Sequence, residues 1–148
     1  MYFPEFNSTS KVWVYTANRL LTSNEQKFIV AEMDLFLGSW AAHGSGLKAD
    51  GVLAHNQFII LTVDESATGA SGCSIDSSVK FIKAIGNELN IDFFDRLNLV
   101  LEKNGVFKRS HISELKKFEG WNVFNPMITD LTGLRTNWKQ EVAKSPFF

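Results

Sequence analysis

The chain has 148 residues, the length of one ordinary domain, and 45% of them are hydrophobic while 21% are charged. Lys and Arg number 15 and Asp and Glu 16, so the formal net charge is −1. This balance excludes the strongly basic surface that binding to nucleic acid or to an anionic membrane requires. The single cysteine excludes an internal disulfide and a four-cysteine zinc site. We therefore expect a folded domain that needs no cofactor and binds neither nucleic acid nor a membrane.

The sequence also carries signals about the cellular compartment. Residues 1–6 contain neither the basic region nor the apolar stretch of a secretory signal. The longest wholly apolar run, residues 58–61, is far too short to span a membrane. One cysteine also suits a reducing compartment. These patterns predict a cytoplasmic protein.

The first predicted elements in chain order are a strand and a long helix. Residues 1–10 are expected to form a loose arm, whereas residues 12–16 are β-branched and aromatic, which is typical of a strand. Thr22 and Glu25 have the spacing of a capping box, in which each side chain binds the backbone N–H of the other residue. Apolar residues then recur at helical spacing and predict one buried helix face. They are Ile29, Met33, Phe36, Leu37 and Trp40.

Two strands, a second helix and a fourth strand follow. Residues 47–54 and 58–63 are predicted strands joined by a turn at residues 55–56, and the second is apolar on both faces, as a central strand is. A helix is expected to start near Ser74, and residues 97–102 alternate as a half-exposed strand does. The order βαββαβ is that of the ferredoxin-like, or split βαβ, fold. We therefore predict an α+β fold with one antiparallel sheet and two helices on one of its faces.

Residues 103–148 are predicted to be a C-terminal extension of the same domain. Residues 112–118 suggest a short helix, and Asp130 is suited to cap a last helix that turns apolar side chains inward. The extension is too apolar to remain in water, so we expect it to pack on the core formed by residues 1–102. Either the extension or a second copy of the chain would cover the sheet face opposite the two helices.

Several stretches of the chain together resemble a known family. They are Trp13-Val14-Tyr15-Thr16-Ala17-Asn18-Arg19, Trp40-Ala41-Ala42-His43-Gly44, Phe58 to Glu65, Ser71 to Val79, Asp92-Phe93-Phe94-Asp95-Arg96 and Val123-Phe124-Asn125. The family is a small, uncharacterised group of bacterial proteins that is often labelled "ABC transporter ATPase". The resemblance extends over nearly the whole chain and implies a family without implying a mechanism.

The residues themselves do not support an ATPase. A P-loop needs the pattern Gly-x-x-x-x-Gly-Lys-Ser/Thr, whose backbone N–H groups and lysine hold the phosphates. No glycine in this sequence is followed by a lysine. We therefore expect no ATP hydrolysis.

The segment from residue 64 to residue 78 contains the most suggestive candidate site. A loop rich in Gly and Ser runs into the start of the second predicted helix, where free N–H groups and the helix dipole favour an anion. The candidate ligand-binding residues are Ser71, Gly72, Ser74, Asp76 and Ser77. Asp76 would repel an anion, and a tight loop with a serine cap is the alternative interpretation.

Cys73 lies in the same segment and is a candidate nucleophile. The start of the helix would stabilise a thiolate there, and a thiol enzyme also needs a base. The candidate catalytic residues are Cys73, His43 as the base, and Asp64. The alternative is an unreactive thiol in the protein core, because free cysteine is among the most buried residue types.

Other residues of functional types fit no motif. Asp64, Glu65, Asp92 and Asp95 are spaced like no known set of metal ligands, and the histidines are too scattered to name a zinc site, so no metal site is predicted. The sequence therefore favours solvated carboxylates in turns over a metal centre.

The aromatic pair Trp13 and Tyr15 shares one face of the first predicted strand, as the base-stacking residues of RNA-recognition domains do. Packing in the core is favoured instead, because the third strand lacks the basic pattern of those domains and the sequence pI is about 6.3.

From these patterns we expect a non-catalytic binding or assembly module, with a second copy of the chain or another protein as its possible partner. The alternative is a small enzyme, or a protein that binds an anion or another ligand, with its site at the loop 64–78. A pocket in which Asp64, Cys73 and His43 converge would favour the alternative.

Overall fold

The computed structural model describes residues 1–43, 48–64 and 72–148, without the side chains of residues 41–43 and 72–74. The strands in this part of the chain are β1 (Lys11–Thr16), β2 (Lys48–Ala54), β3 (Phe58–Asp64), β4 (Asn98–Lys103), β5 (Val106–His111), β6 (Asn122–Phe124) and β7 (Lys139–Glu141). The helices are α1 (Ser23–His43), α2 (Gly72–Leu89) and α3 (Leu131–Thr136), with 3₁₀ helices at Ile112–Phe118 and Val142–Lys144.

The strands form two antiparallel sheets, which confirms the predicted α+β class. Sheet 1 has the strand order β1-β3-β2, and sheet 2 has the order β5-β4-β6-β7. The ferredoxin-like arrangement is not confirmed, because the strand order differs. That arrangement places the fourth strand beside the first, whereas β4 pairs with β5 and β6 in sheet 2.

The edge of β1 explains this difference. Lys11 forms a bridge with Asp130, and the N–H of Val12 donates to the carbonyl of Thr129 at 3.0 Å. The N–H of Leu131 in turn donates to the carbonyl of Ser10 at 2.9 Å. The chain just before α3 therefore occupies the edge that β4 would need, and β4 joins the second sheet.

The strand β4 is central rather than half-exposed. Val100 lies in the apolar cluster between the two sheets, while Leu99 and Leu101 pack with Leu115 and Val142 on the far side of sheet 2. Both faces of β4 are thus buried. The prediction of a half-exposed strand, drawn from the alternation in its sequence, was wrong.

Sheet 1 lies between two apolar layers, and β3 faces both, as predicted. Ile59 and Leu61 pack toward α1 and α2, whereas Phe58 and Ile60 pack toward sheet 2 and the C-terminal segment. All of these side chains are at most 1% exposed. The sheet face opposite the two long helices is therefore covered by the chain itself, through residues such as Phe124, Leu131, Leu134 and Trp138.

The start of α1 has the predicted capping box. The N–H of Glu25 donates to Oγ1 of Thr22 at 3.2 Å, and the N–H of Thr22 donates to Oε1 of Glu25 at 2.9 Å. Arg19 adds a bidentate contact, with each guanidinium nitrogen 2.7 Å from a carboxylate oxygen of Glu25. These hydrogen bonds, above all the one from Arg19, lower the pKa of Glu25 to about 2.

The N-terminal arm, residues 1–10, is packed rather than loose. Phe3 and Phe6 are each 8% exposed and belong to the apolar cluster between the sheets. Arg135 in α3 donates hydrogen bonds to the backbone carbonyls of Tyr2, Phe3 and Phe6. No local sequence pattern marks this docking, because Arg135 lies at the other end of the chain.

The end of α2 requires a glycine. Asn90 adopts a left-handed conformation with φ 54°, and the N–H of Ile91 donates back to the carbonyl of Gly86 at 2.9 Å. This is the bonding of a Schellman cap, which satisfies carbonyls left over at the helix end. The returning chain passes so close that a Cβ on Gly86 would lie 2.6 Å from the carbonyl oxygen of Ile91.

We expect Gly86→Ala to lower the free energy of unfolding by about 1–3 kcal/mol, as overpacking does. In an open helix position alanine would instead stabilise the protein by about 1 kcal/mol relative to glycine. A loss of stability in Gly86→Ala would therefore show that the added Cβ meets the carbonyl of Ile91. Gly38→Ala in α1 is the matched control, because a Cβ there meets nothing within 4 Å and should stabilise the protein. Urea unfolding of both variants measures this, and a Gly86→Ala chain as stable as the parent would contradict the prediction.

Candidate functional sites

The predicted site in the segment 64–78 lies largely beyond what the structure describes. Ser71 lies outside the described residues, and only the backbone of His43, Gly72, Cys73 and Ser74 is described. The backbone of His43 ends α1, and α2 begins at Gly72, two residues before the predicted start at Ser74. The roles of Cys73 and His43 stay predictions.

The described residues of that segment differ in how far their side chains are buried. Asp64 is half-buried at the end of β3, whereas Asp76 and Ser77 are exposed on α2. The Ser78 hydroxyl donates to the carbonyl of Ile75 at 2.7 Å and lies 3.5 Å from the Tyr15 hydroxyl. Ser78 therefore belongs to the contact between α2 and β1 rather than to a ligand site.

The aromatic residues of β1 pack in the core, as the sequence favoured. Tyr15 is 5% exposed, and burial raises the pKa of its phenol. Trp13 is half-buried, with its ring centroid 6.0 Å from that of Trp40 in α1. Neither ring is presented as an open stacking platform.

The structure contains a cavity of about 670 Å³ where the β2–β3 turn meets α3 and β7. We name it the aromatic cavity. It is lined by Met1, Tyr2, His55, Phe124, Leu134, Arg135, Thr136, Trp138 and Lys139. Its walls come from both ends of the chain and from the middle, so no local sequence motif marks it.

His55 lies at the tip of the β2–β3 hairpin. Both His55 and Asn56 have positive φ, at 50° and 58°, and the N–H of Gln57 donates to the carbonyl of Ala54 at 3.1 Å. The imidazole centroid lies 5.2 Å from that of Phe124, 5.4 Å from that of Phe107 and 5.8 Å from that of Trp138. Partial burial, followed by the nearby Lys139 ammonium, lowers the pKa of His55, so the ring is neutral at pH 7.

Two basic side chains line the aromatic cavity. Lys139 pairs with Glu102 at 3.1 Å, and Arg135 donates to backbone carbonyls through Nε and Nη2. No Asp or Glu is among the lining residues, all of which belong to the described part of the chain. The cavity therefore combines aromatic walls with a basic rim.

A second cavity of about 350 Å³ lies between the end of β1 and the strands β4 and β5. We name it the polar cleft. It is lined by Thr16, Ala17, Asn18, Asp95, Asn98, Arg109, Ser110 and His111. The residues are polar almost throughout, in contrast to the aromatic cavity.

Arg109 supplies the positive charge of the polar cleft. Its Nη2 donates to Oε1 of Gln57 at 2.6 Å, and Nε2 of Gln57 donates to the carbonyl of His55 at 3.2 Å. Gln57 is only 1% exposed, so it links the cleft to the turn that holds His55. Burial lowers the pKa of the Arg109 guanidinium, and the charge of Asp95 opposes this effect.

Asp95 supplies the negative charge. Its Oδ1 accepts from the N–H groups of Leu97 and Asn98, and its Oδ2 accepts from the Asn98 amide at 2.7 Å. These bonds, the Asn98 amide first, lower the pKa of the carboxyl, so it is ionised near neutrality. His111 also lines the cleft, and its Nδ1 accepts from the N–H of Ser113 at 3.2 Å.

Within the ranges that the structure describes, no group of three or more His, Cys, Asp or Glu residues is arranged to hold a metal ion. No helix in those ranges combines the length and the apolar composition needed to cross a membrane. Comparison of the chain with models of protein families, with curated proteins and with solved structures gives no match.

Proposed function

We propose that the protein is a non-catalytic, cytoplasmic binding module that holds a small ligand with an aromatic body and an acidic group in the aromatic cavity. The observation that supports this most strongly is the combination of aromatic walls and a basic rim in a space of about 670 Å³. Cavities of about 300–1,000 Å³ with apolar walls and a few polar groups are typical of small-molecule sites.

The cavity offers a separate partner for each half of such a ligand. A flat apolar body would lie against the exposed ring of His55 and the half-buried ring of Tyr2, which both line the cavity. The buried Trp138 packs against both of them, with its ring centroid 5.6 Å from that of Tyr2 and 5.8 Å from that of His55. The acidic group would reach the ammonium of Lys139 and Nη1 of Arg135, which takes no part in the bonds of Arg135 to the N-terminal arm. Charge-assisted hydrogen bonds of this kind are stronger than neutral ones.

The titratable groups of the cavity support binding rather than catalysis. Nucleophilic catalysis needs a nucleophile and a base within hydrogen-bonding reach of each other. The titratable side chains in the cavity lining are Tyr2, His55, Arg135 and Lys139. Arg135 donates to the backbone carbonyl of Tyr2, but in the described structure no hydrogen bond joins the side chains of any two of the four. Membership in the bacterial family that the sequence resembles is compatible with this proposal.

Isothermal titration calorimetry with naphthalene-2-carboxylate and its neutral amide tests the proposal. We expect the carboxylate to bind at least about tenfold more tightly than the amide, a difference of about 1.4 kcal/mol. Equal binding of the two probes would contradict the role of the basic rim. Failure of both to bind would contradict the site itself.

A pair of lysine variants locates the binding. Lys139→Gln removes a charge from the cavity rim and should weaken carboxylate binding by about three- to tenfold. Lys144→Gln is the matched control, because Lys144 also pairs with a glutamate, Glu141 at 3.2 Å, yet does not line the cavity. Loss of binding in Cys73→Ser with full binding in Lys139→Gln would instead favour the site at the loop 64–78.

The assembly function is the other half of the hypothesis drawn from the sequence, and sedimentation velocity tests it. A binding module that works alone should sediment as a monomer with and without the carboxylate probe. A stable dimer whose dissociation constant is unaffected by Lys139→Gln would favour assembly as the main role.

A further inference from the structure

We propose that the polar cleft binds a small zwitterion of the amino-acid type, with the ligand carboxylate on Arg109 and the ligand ammonium on Asp95. Both residues line the same cavity of about 350 Å³. The site is separate from the aromatic cavity and would take a different chemical class of ligand.

Arg109 has donor capacity that the protein does not use. A guanidinium has five N–H donors, and the hydrogen bond of Arg109 in the described structure goes to the neutral amide of Gln57. The residue is half-buried, so its charge is partly removed from water, and among the described residues no carboxylate forms an ion pair with it. A planar guanidinium in this state suits bidentate binding of a carboxylate.

Asp95 has a matching acceptor capacity. An ionised carboxylate offers about four lone-pair positions, and those of Oδ1 are used by two backbone N–H groups of the turn. Oδ2 receives one hydrogen bond, from the amide of Asn98. Among the described residues no Lys, Arg or His forms an ion pair with Asp95, so Oδ2 can still accept a donor from a ligand.

The presence of both charges in one cleft selects the ligand class. A simple anion would be attracted by Arg109 and repelled by Asp95, and a simple cation would experience the reverse. A zwitterion places an opposite charge against each residue, so both interactions are favourable at once. The remaining lining includes Asn18, Asn98 and Ser110, which suits a small polar side chain rather than an aromatic one.

Calorimetry with L-serine and with two analogues that each lack one of its charged groups tests the inference. 3-Hydroxypropionate is serine without its ammonium group, and ethanolamine is serine without its carboxylate. We expect serine to bind at least tenfold more tightly than either 3-hydroxypropionate or ethanolamine. Binding of 3-hydroxypropionate as tight as that of serine would mean a plain anion site, and no binding of serine would mean no site; either result overturns the inference.

Substitutions at the two charges assign the contacts. Asp95→Asn keeps Oδ1 as the acceptor of the turn and should reduce serine to the affinity of 3-hydroxypropionate. Arg109→Gln should abolish binding of both, and Arg109→Lys, which keeps the charge without the planar fork, should weaken serine binding at least threefold. Serine affinity that is unchanged in Asp95→Asn or in folded Arg109→Lys would overturn the inference.

Matched controls separate the cleft from general effects of charge and folding. Asp92→Asn removes a carboxylate that accepts from the N–H of Phe94 in a similar turn but lies outside the cleft. Lys108→Gln removes the neighbouring cation of β5, which lies over Trp121. Both should leave serine binding unchanged. Binding of naphthalene-2-carboxylate should be unaffected by Asp95→Asn. A failure of the polar cleft to bind serine can therefore be distinguished from a failure of the aromatic cavity to bind its probe.

Discussion

A chain that ends at Glu102 should not fold. The truncation removes β5 and β6, the strands on both sides of β4, and uncovers the sheet 1 face that contains Phe58 and Ile60. It also removes seven buried apolar side chains, each at most 3% exposed: Leu115, Val123, Phe124, Leu131, Leu134, Trp138 and Val142. Each large side chain contributes about 1.5–3 kcal/mol by its burial, and a whole domain is stable by only about 5–15 kcal/mol. The lost burial therefore exceeds the margin available.

Size-exclusion chromatography, near-ultraviolet circular dichroism and urea unfolding together measure this outcome. We expect aggregation, no near-ultraviolet signal and no cooperative transition for residues 1–102. A chain that lacks only Phe148, a residue 47% exposed, is the control and should unfold like the parent. A soluble, monomeric 1–102 fragment with the urea resistance of the full chain would show that residues 103–148 are an independent appendage.

The elements of sheet 1 and the long helices could be predicted because their signals are local. The capping box of Thr22 and Glu25 lies within one helical turn, and it forms as expected. The run of apolar residues in β3 demands burial on both faces, which only a central strand provides. The turn at His55 and Asn56 also follows from residue types that tolerate a left-handed backbone.

Part of sheet 2 has a local sequence signal, the dipeptide Asn104-Gly105 between β4 and β5. Asn104 and Gly105 have φ of 51° and 81° and join β4 to β5 in a two-residue hairpin. Asn-Gly between alternating residues is the strongest short-range sign of such a hairpin. The pairing of β4 with β6 is different, because it joins residues about twenty positions apart with no local mark.

Neither cavity could be predicted, because each is assembled from distant segments. The polar cleft brings Thr16, Asp95 and Arg109 together through the two sheets. The sequence marks Asp95 as a turn carboxylate, but only the placement of β5 brings Arg109 into the same cleft. In the aromatic cavity, Tyr2 meets His55 and Trp138 only because the N-terminal arm docks.

Arg135→Gln should lower the free energy of unfolding by about 2–4 kcal/mol, one of the largest effects of a single substitution that we expect. The guanidinium donates to the carbonyls of Phe3 at 2.6 Å, and of Tyr2 and Phe6 at 3.2 Å each. Phe3 has φ 51°, a conformation that a side chain of this size rarely adopts. A shorter neutral side chain cannot serve three carbonyls, so the N-terminal arm would lose its anchor.

A double-mutant cycle distinguishes anchoring of the arm from any other role of Arg135. In a chain that lacks residues 1–6, Arg135→Gln should cost less than about 0.5 kcal/mol, because the carbonyls it serves are gone. Arg135→Lys in the full chain is the intermediate variant, since an ammonium keeps the charge and lacks the rigid fork of donors. Urea unfolding gives all the required free energies. An equal cost of Arg135→Gln with and without the arm would show that Arg135 stabilises α3 itself, and Phe3 and Phe6 would then be held by their apolar contacts alone.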